Sequence, residues 1–178
     1  DQVTLPVALA DRMDMLSVAF SLKMIPSGSA DPFALRRMAQ GVVQIVLGKQ
    51  LPLGWEEFSS LSVQILRDQQ EFTNEPEILE KQLVDFLDQR ERWYLQEKGF
   101  RHDLIDAVLK PTSGTPLNRL NFASTLSEDL NLPEFKKSVE AVVRAINITN
   151  KYEEESQAAK LEEASLTLSL IHISEPTR

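Results

Sequence analysis

Cysteine is absent from the 178 residues, which removes disulfides, thiolate zinc sites and cysteine nucleophiles together. Glycine is scarce at six, and aromatic side chains number only twelve; no glycine-rich phosphate loop can be drawn from them. Nowhere does an apolar run approach the roughly 18 to 20 residues that a spanning helix needs, and the N-terminus lacks the charged-then-apolar layout of a secretory signal. The chain therefore reads as soluble and intracellular, with a cytoplasmic location expected. Without that signal the lone Asn147-Ile148-Thr149 sequon carries no weight. Basic residues are also in deficit. Nineteen Lys and Arg against 27 Asp and Glu leave a net charge of -8, which argues against non-specific binding along a nucleic-acid backbone.

What remains is ordinary globular material, 42% apolar and 26% charged. A chain of this length holds one domain or two small ones and buries about two-thirds of its unfolded surface. The charge is unevenly placed. Acids against bases run 4 to 5 in residues 1–50, 13 to 7 in 51–110 and 10 to 7 in 111–178, so any nucleic-acid partner must be met by local basic groups.

Both ends look cut. Asp1 stands where a methionine would start a chain, and a helical pattern begins within a few residues. After an acidic, helix-favouring tail over 151–167, residues 168–178 (Leu168-Ser169-Leu170-Ile171-His172-Ile173-Ser174-Glu175-Pro176-Thr177-Arg178) resemble the in-frame translation of a transposase adaptor used in sequencing libraries. We expect read-through there and exclude the stretch from fold reasoning. That leaves His102 as the one remaining histidine.

The periodicity predicts an all-α fold of about seven helices with short connections. Leu9, Met13, Leu16 and Phe20 share one face of a helix over 4–24. Asp31-Pro32 reads as N-cap and first residue of a second helix that runs to about Leu47, with Gly48 as its C-cap. A helix over 55–73 places Phe58, Leu61, Ile65 and Phe72 near one stripe. From Ile78 to Lys98 the period is clearest, with Gly99 positioned to end it; helices over 101–109, 117–131 and 133–149 follow.

Several residues could carry chemistry. Asp11 and Asp14, three apart on a helix, are close enough to share a cation or a proton, but no histidine or cysteine supplies further ligands, and a solvated, salt-bridging face is the plainer reading. Arg36 and Arg37 sit just after the first turn of the second helix, where the dipole slightly disfavours cations, so they call for local acids such as Asp31, a phosphate or another subunit. Arg90 falls in the middle of the stripe made by Leu79, Leu83, Phe86, Leu87, Trp93 and Tyr94; a guanidinium there must be paired or line a groove. Arg92 points to the polar face, and Trp93 and Tyr94 offer flat surfaces on which a base can stack, though core packing is the plainer reading of an aromatic pair at helical spacing. His102 has no serine, cysteine or acid in a catalytic spacing.

In these blocks the sequence resembles the C-terminal part of the β subunit of the heterotetrameric, bacterial-type glycyl-tRNA synthetases, over about residues 5–150. Leu9-Ala10-Asp11-Arg12-Met13-Asp14-Met15-Leu16 is similar to the family's LADKxDTL segment, which closes an HD-like domain. Pro26 to Arg37 resembles PTGSKDPFALRR, the most specific of the matches. Phe86 to Leu95 resembles the RxRYYL helix, with Arg90, Arg92, Trp93 and Tyr94 on matching positions, and Gly99 to Leu109 resembles GYxxDVIDAVL. Val143 to Ile148, carrying Arg144 and Asn147, is similar to the KRVSNI end of an anticodon-binding domain related to the DALR module of arginyl-tRNA synthetases. Arg12, Met15, Ala30 and Gln40 depart from the pattern, and the acidic tail runs past the family's usual end.

The resemblance implies a helical bundle: residues 1–50 end an HD-like region, and 51–150 form an anticodon-binding-like domain. It further implies a part that helps hold glycine tRNA, with Arg36, Arg37, Arg90, Arg92, Tyr94 and Arg144 as candidate contacts. Glycine and ATP, with Mg, would be handled by the class II domain of the α subunit in an α2β2 assembly. This stretch would then have no catalytic residues, metal or cofactor of its own and no membrane or DNA partner. The open alternative is a helical adaptor that joins subunits without reading RNA.

Overall fold

The computed structural model describes residues 3–69, 75–110 and 114–152; the tail over 153–167 and the stretch 168–178 lie outside the described residues, as does Phe72. The expected all-α class is what is found. The helices are α1 (Thr4–Ser21), α2 (Leu35–Gly48), α3 (Trp55–Gln69), α4 (Pro76–Glu97), α5 (His102–Leu109) and α6 (Pro116–Asp129), followed by α7 over 133–152. Among the described residues the sole β-type pairing is an isolated bridge between Ser27 and Ala30 in the α1–α2 loop. Contacts divide the chain into two units, 1–128 and 129–178.

In the first unit α4 is the central element, packed against α1, α2, α3 and α5. The apolar face of α1 is the expected one: Leu9, Met13, Leu16 and Phe20 are all buried. They meet Leu35, Ala39, Val42, Val43 and Val46 of α2 and Leu79, Leu83, Phe86 and Leu87 of α4 in one core. Phe20 and Phe86 pack edge to face, with ring centroids 5.1 Å apart. Burying each such side chain contributes about 1.5 to 3 kcal/mol, enough in sum to hold α1 and α2 to α3 and α4 across position 50.

Three helix ends share one device. Met24 N–H donates to Ala19 O, Leu51 N–H to Val46 O and Phe100 N–H to Leu95 O, each after a residue with positive φ. That residue is Gly99 in the third case, as its position suggests, but Lys23 and Gln50 in the first two. Gly48 is therefore the last helical residue of α2 and not its left-handed cap; Gln50 takes that conformation at a cost of about 1 kcal/mol.

The start of α2 also differs from expectation. Asp31 and Pro32 lie in a turn that Ala34 closes with φ +54°, and the helix begins at Leu35. Asp31 still caps it from outside. Its two carboxylate oxygens accept from the backbone N–H of Leu35 (2.8 Å) and of Arg36 (3.1 Å), two of the donors that a helix start leaves free. Arg36 and Arg37 consequently belong to the first turn itself.

On α3 the buried line is Trp55, Ser59, Val63 and Leu66. Leu61 and Ile65 are exposed, a correction to the expected stripe. Two apolar lines compete on this helix, and the one carrying the small Ser59 faces the core, while Phe58, Leu61 and Ile65 wall an open cavity of about 680 Å³ with Leu5, Leu9 and Leu53. In the second unit, α7 carries Val139, Val142, Val143 and Ile146 at helical spacing, all exposed among the described residues.

Candidate nucleic-acid interface

The register of α4 decides which of its residues are available. The core line advances by fours, through Leu79, Leu83, Leu87, Glu91 and Leu95, with Phe86 and Tyr94 beside it. Arg90 is thus displaced from the centre of the stripe to its half-buried edge, and Trp93 is turned out of the core. The misplacement arises because Glu91, a carboxylate, occupies a core position that apolar patterning alone assigns to its neighbours.

Glu91 is fully buried and its charge is answered on every side. It accepts from Trp55 Nε1 (2.7 Å), Arg119 Nε (2.9 Å) and Arg119 Nη2 (2.5 Å). Arg119 also pairs with Asp88 at 3.1 Å. Burial works to lower the Arg119 pKa, but the hydrogen bonds and charge of Glu91, with Asp88 and Glu56, carry it upward. Burial pushes Asp88 up to about 6, aided by Glu91, Glu56 and Asp85 and opposed by Arg119. This network pins α3 and α6 to α4. It was missed in the sequence; the signal was Glu91 sitting four residues after Leu87 and four before Leu95.

The arginines divide sharply. Arg36 donates from Nη2 to the Gly28 carbonyl at 2.8 Å. Arg90 holds its guanidinium carbon 5.7 Å from the Phe86 ring centroid, and its buried Nε meets no acceptor. Burial lowers the Arg90 pKa, the nearby Arg36 charge lowers it further, and Asp31 works against both. Arg36 on the first turn of α2 is thus near enough to Arg90 on the edge of α4 for its charge to act there. Asp31, the carboxylate that acts on Arg90, already accepts from two backbone N–H groups. Arg37 is exposed on the same turn.

The other candidates lie elsewhere. Arg92 is paired with Asp106 of α5 at 2.5 Å, an exposed ion pair worth about 0 to 1 kcal/mol. Tyr94 is only 9% exposed, with the Lys98 ammonium 5.4 Å from its ring, so it is packed in the core and offers no stacking face. Arg144 is exposed on α7 in the second unit, beside Val143 and Asn147. His102 is exposed, its Nδ1 3.4 Å from Gln96 Nε2. Arg101 pairs with Asp103, and that hydrogen bond holds the Asp103 carboxyl below the usual carboxylate range. Asp11 and Asp14 stand exposed on the rim of the α1–α3 cavity. Among the described residues no group of three or more His, Asp or Glu is arranged to hold a metal ion, and no helix is long and apolar enough to cross a membrane.

Fold and face together define an all-α module that presents guanidinium groups from a helix start and a helix edge. Comparison with known proteins makes the class specific. The model of the family described as glycyl-tRNA synthetase beta subunit matches residues 1–110, and the chain belongs to that family. It is 40% identical over 147 residues to the glycine–tRNA ligase beta subunit of Halalkalibacterium halodurans, covering 83% of this chain and 21% of that protein. Against the beta subunit of Bacillus subtilis it is 37% identical over 145 residues, covering 82% and 19%, and against that of Halothermothrix orenii 37% over 150 residues, covering 83% and 21%. The chain spans about a fifth of the length of these relatives.

Proposed function

We propose that this stretch is a tRNA-holding part of a glycine–tRNA ligase β subunit, contributing to ATP-dependent glycyl-tRNA formation in the bacterial cytoplasm or an organelle of bacterial descent. The reaction's catalytic residues, and the ATP and Mg it uses, belong in this reading to an α subunit in an α2β2 assembly. Here the module binds and orients RNA. The observation that carries the reading is Arg90 at the edge of α4, whose buried Nε has no acceptor and on which the charge of Arg36, from the start of α2, also acts. Phosphate oxygens satisfy such groups by charge-assisted, planar hydrogen bonds, and the positive end of α2 reinforces the attraction. Phosphate contacts position an RNA, while anticodon preference needs unpaired bases read by stacking and hydrogen bonding. The net charge of -8 confines attraction to this local face and makes the affinity of the stretch alone weak.

A second reading, a subunit-joining adaptor, is favoured by the apolar cavity between α1 and α3 with Leu61 and Ile65 exposed on its wall. Binding of the assembled enzyme to glycine tRNA and to a version with a changed anticodon, at low and moderate salt, separates the two. RNA holding predicts preference for the first RNA and steep loss with salt. If Arg36→Ala with Arg37→Ala leaves both properties intact and loosens the subunit assembly instead, the adaptor reading holds.

A further inference from the structure

The two tryptophans have opposite environments. Trp55 is fully buried and bonded to Glu91, whereas Trp93 leaves 53% of its surface in water. The fold thus leaves about half of a large, flat apolar side chain in water on the helix that carries Arg90. Trp93 lies three residues after Arg90, which places the two side chains about 5 to 6 Å apart at Cβ on one strip of α4. Three residues beyond Trp93 is Gln96, whose amide reaches His102 Nδ1 at 3.4 Å. The strip thus runs from Arg90, through an exposed indole, to an amide and an imidazole; Glu97, exposed one turn beyond Trp93, and Asp103, next to His102 and paired with Arg101, are acids at that end.

We infer that Trp93 is the stacking platform for one unpaired nucleobase of the bound RNA. Arg90 and Arg36 take the phosphate of that nucleotide, and Gln96 and His102 stand at the base edge as hydrogen-bonding groups. Each part has its chemical reason. An indole face accepts any base by stacking. A guanidinium pair answers a phosphate, and amide and imidazole groups both donate and accept, as base edges require. Glu97 repels phosphate and so orients the backbone toward the arginine end. Tyr94, the aromatic beside it in sequence, is excluded because its ring is already in the core. This assignment rests on the RNA-holding reading.

The test uses the full-length β subunit assembled with its α subunit and an unmodified glycine tRNA transcript, comparing the parent with Trp93→Ala, Trp93→Phe and Arg36→Ala. Stacking worth about 1 to 3 kcal/mol per base predicts a loss of roughly 5- to 150-fold in affinity for Trp93→Ala, with Trp93→Phe retaining most of the parent's binding. Loss of equal size in Trp93→Ala and Trp93→Phe overturns stacking. Parent-like affinity of Trp93→Ala while Arg36→Ala weakens binding overturns the platform and leaves RNA holding in place. Unchanged RNA affinity in all three variants, with weaker subunit assembly in Trp93→Ala, overturns both.

Discussion

Arg90 and Glu91 are neighbours on α4 with opposite fates. Glu91 is wholly buried and accepts three hydrogen bonds, one from Trp55 and two from Arg119. Arg90 sits at the edge of the same helix, stacked beside Phe86, near a like charge, with its buried Nε unanswered. A charge that the fold satisfies is part of the architecture, and removing it leaves partners stranded. A charge that the fold brings to an edge and leaves short of acceptors is available to something else.

The largest expected effect comes from breaking the satisfied member. Glu91→Ala leaves the Trp55 N–H and the Arg119 Nε without their acceptor in the interior, with Asp88 still on Arg119 Nη2, and should cost about 3 to 5 kcal/mol of stability, read by urea unfolding of the chain. A loss below about 1 kcal/mol would mean that water reaches Arg119 and the network does not hold α6 in place.

A smaller effect sharpens the same side of the comparison. Asp88 titrates near 6 in the fold against 3.8 for the free group, so between these values the folded chain binds more protons than the unfolded one. Its contribution is present below about pH 4 and is lost as pH rises through about 6. Because the Asp88 side chain is 41% exposed, screening limits the change to about 1 kcal/mol. Asp88→Asn should remove that decline from the pH dependence of unfolding; a parent-like slope would show that solvent, not burial, sets this carboxyl.

The smallest effect belongs to the other neighbour. Arg90→Met should leave stability within about 0.5 kcal/mol of the parent, since the apolar stem is replaced and no hydrogen bond is lost at Nε. A cost of several kcal/mol would place Arg90 in the architecture with Glu91 and end the contrast.

Much of the fold was legible because apolar periodicity and turn chemistry are local. The α1 face, the opening of α4 at Pro76 and the left-handed Gly99 follow from spacing and residue type alone. The misreadings share a different cause. Glu91 is core only because Arg119, 28 positions away, meets it, and discounting it rotated the α4 stripe, which put Trp93 and Tyr94 together where the fold buries Tyr94 and exposes Trp93. Ala34 adopts a left-handed conformation that composition does not announce, and it moved the start of α2 by a turn. On α3 the choice between two apolar lines was made by packing against α4. Of the six candidate contacts, Arg36 is near enough to Arg90 for its charge to act there, and Arg37 follows Arg36 on the same turn. Arg92 is paired, Tyr94 buried and Arg144 carried by the other unit, distinctions that depend on tertiary partners.

The most direct test of the central contrast is the salt dependence of glycine tRNA affinity for the assembled enzyme, parent against Arg36→Ala with Arg90→Met. If the edge arginines together neutralise the one phosphate assigned to them, the slope of log affinity against log salt should fall by roughly 0.7 to 0.9. An unaltered slope and unaltered affinity would contradict the account and return both arginines to the fold.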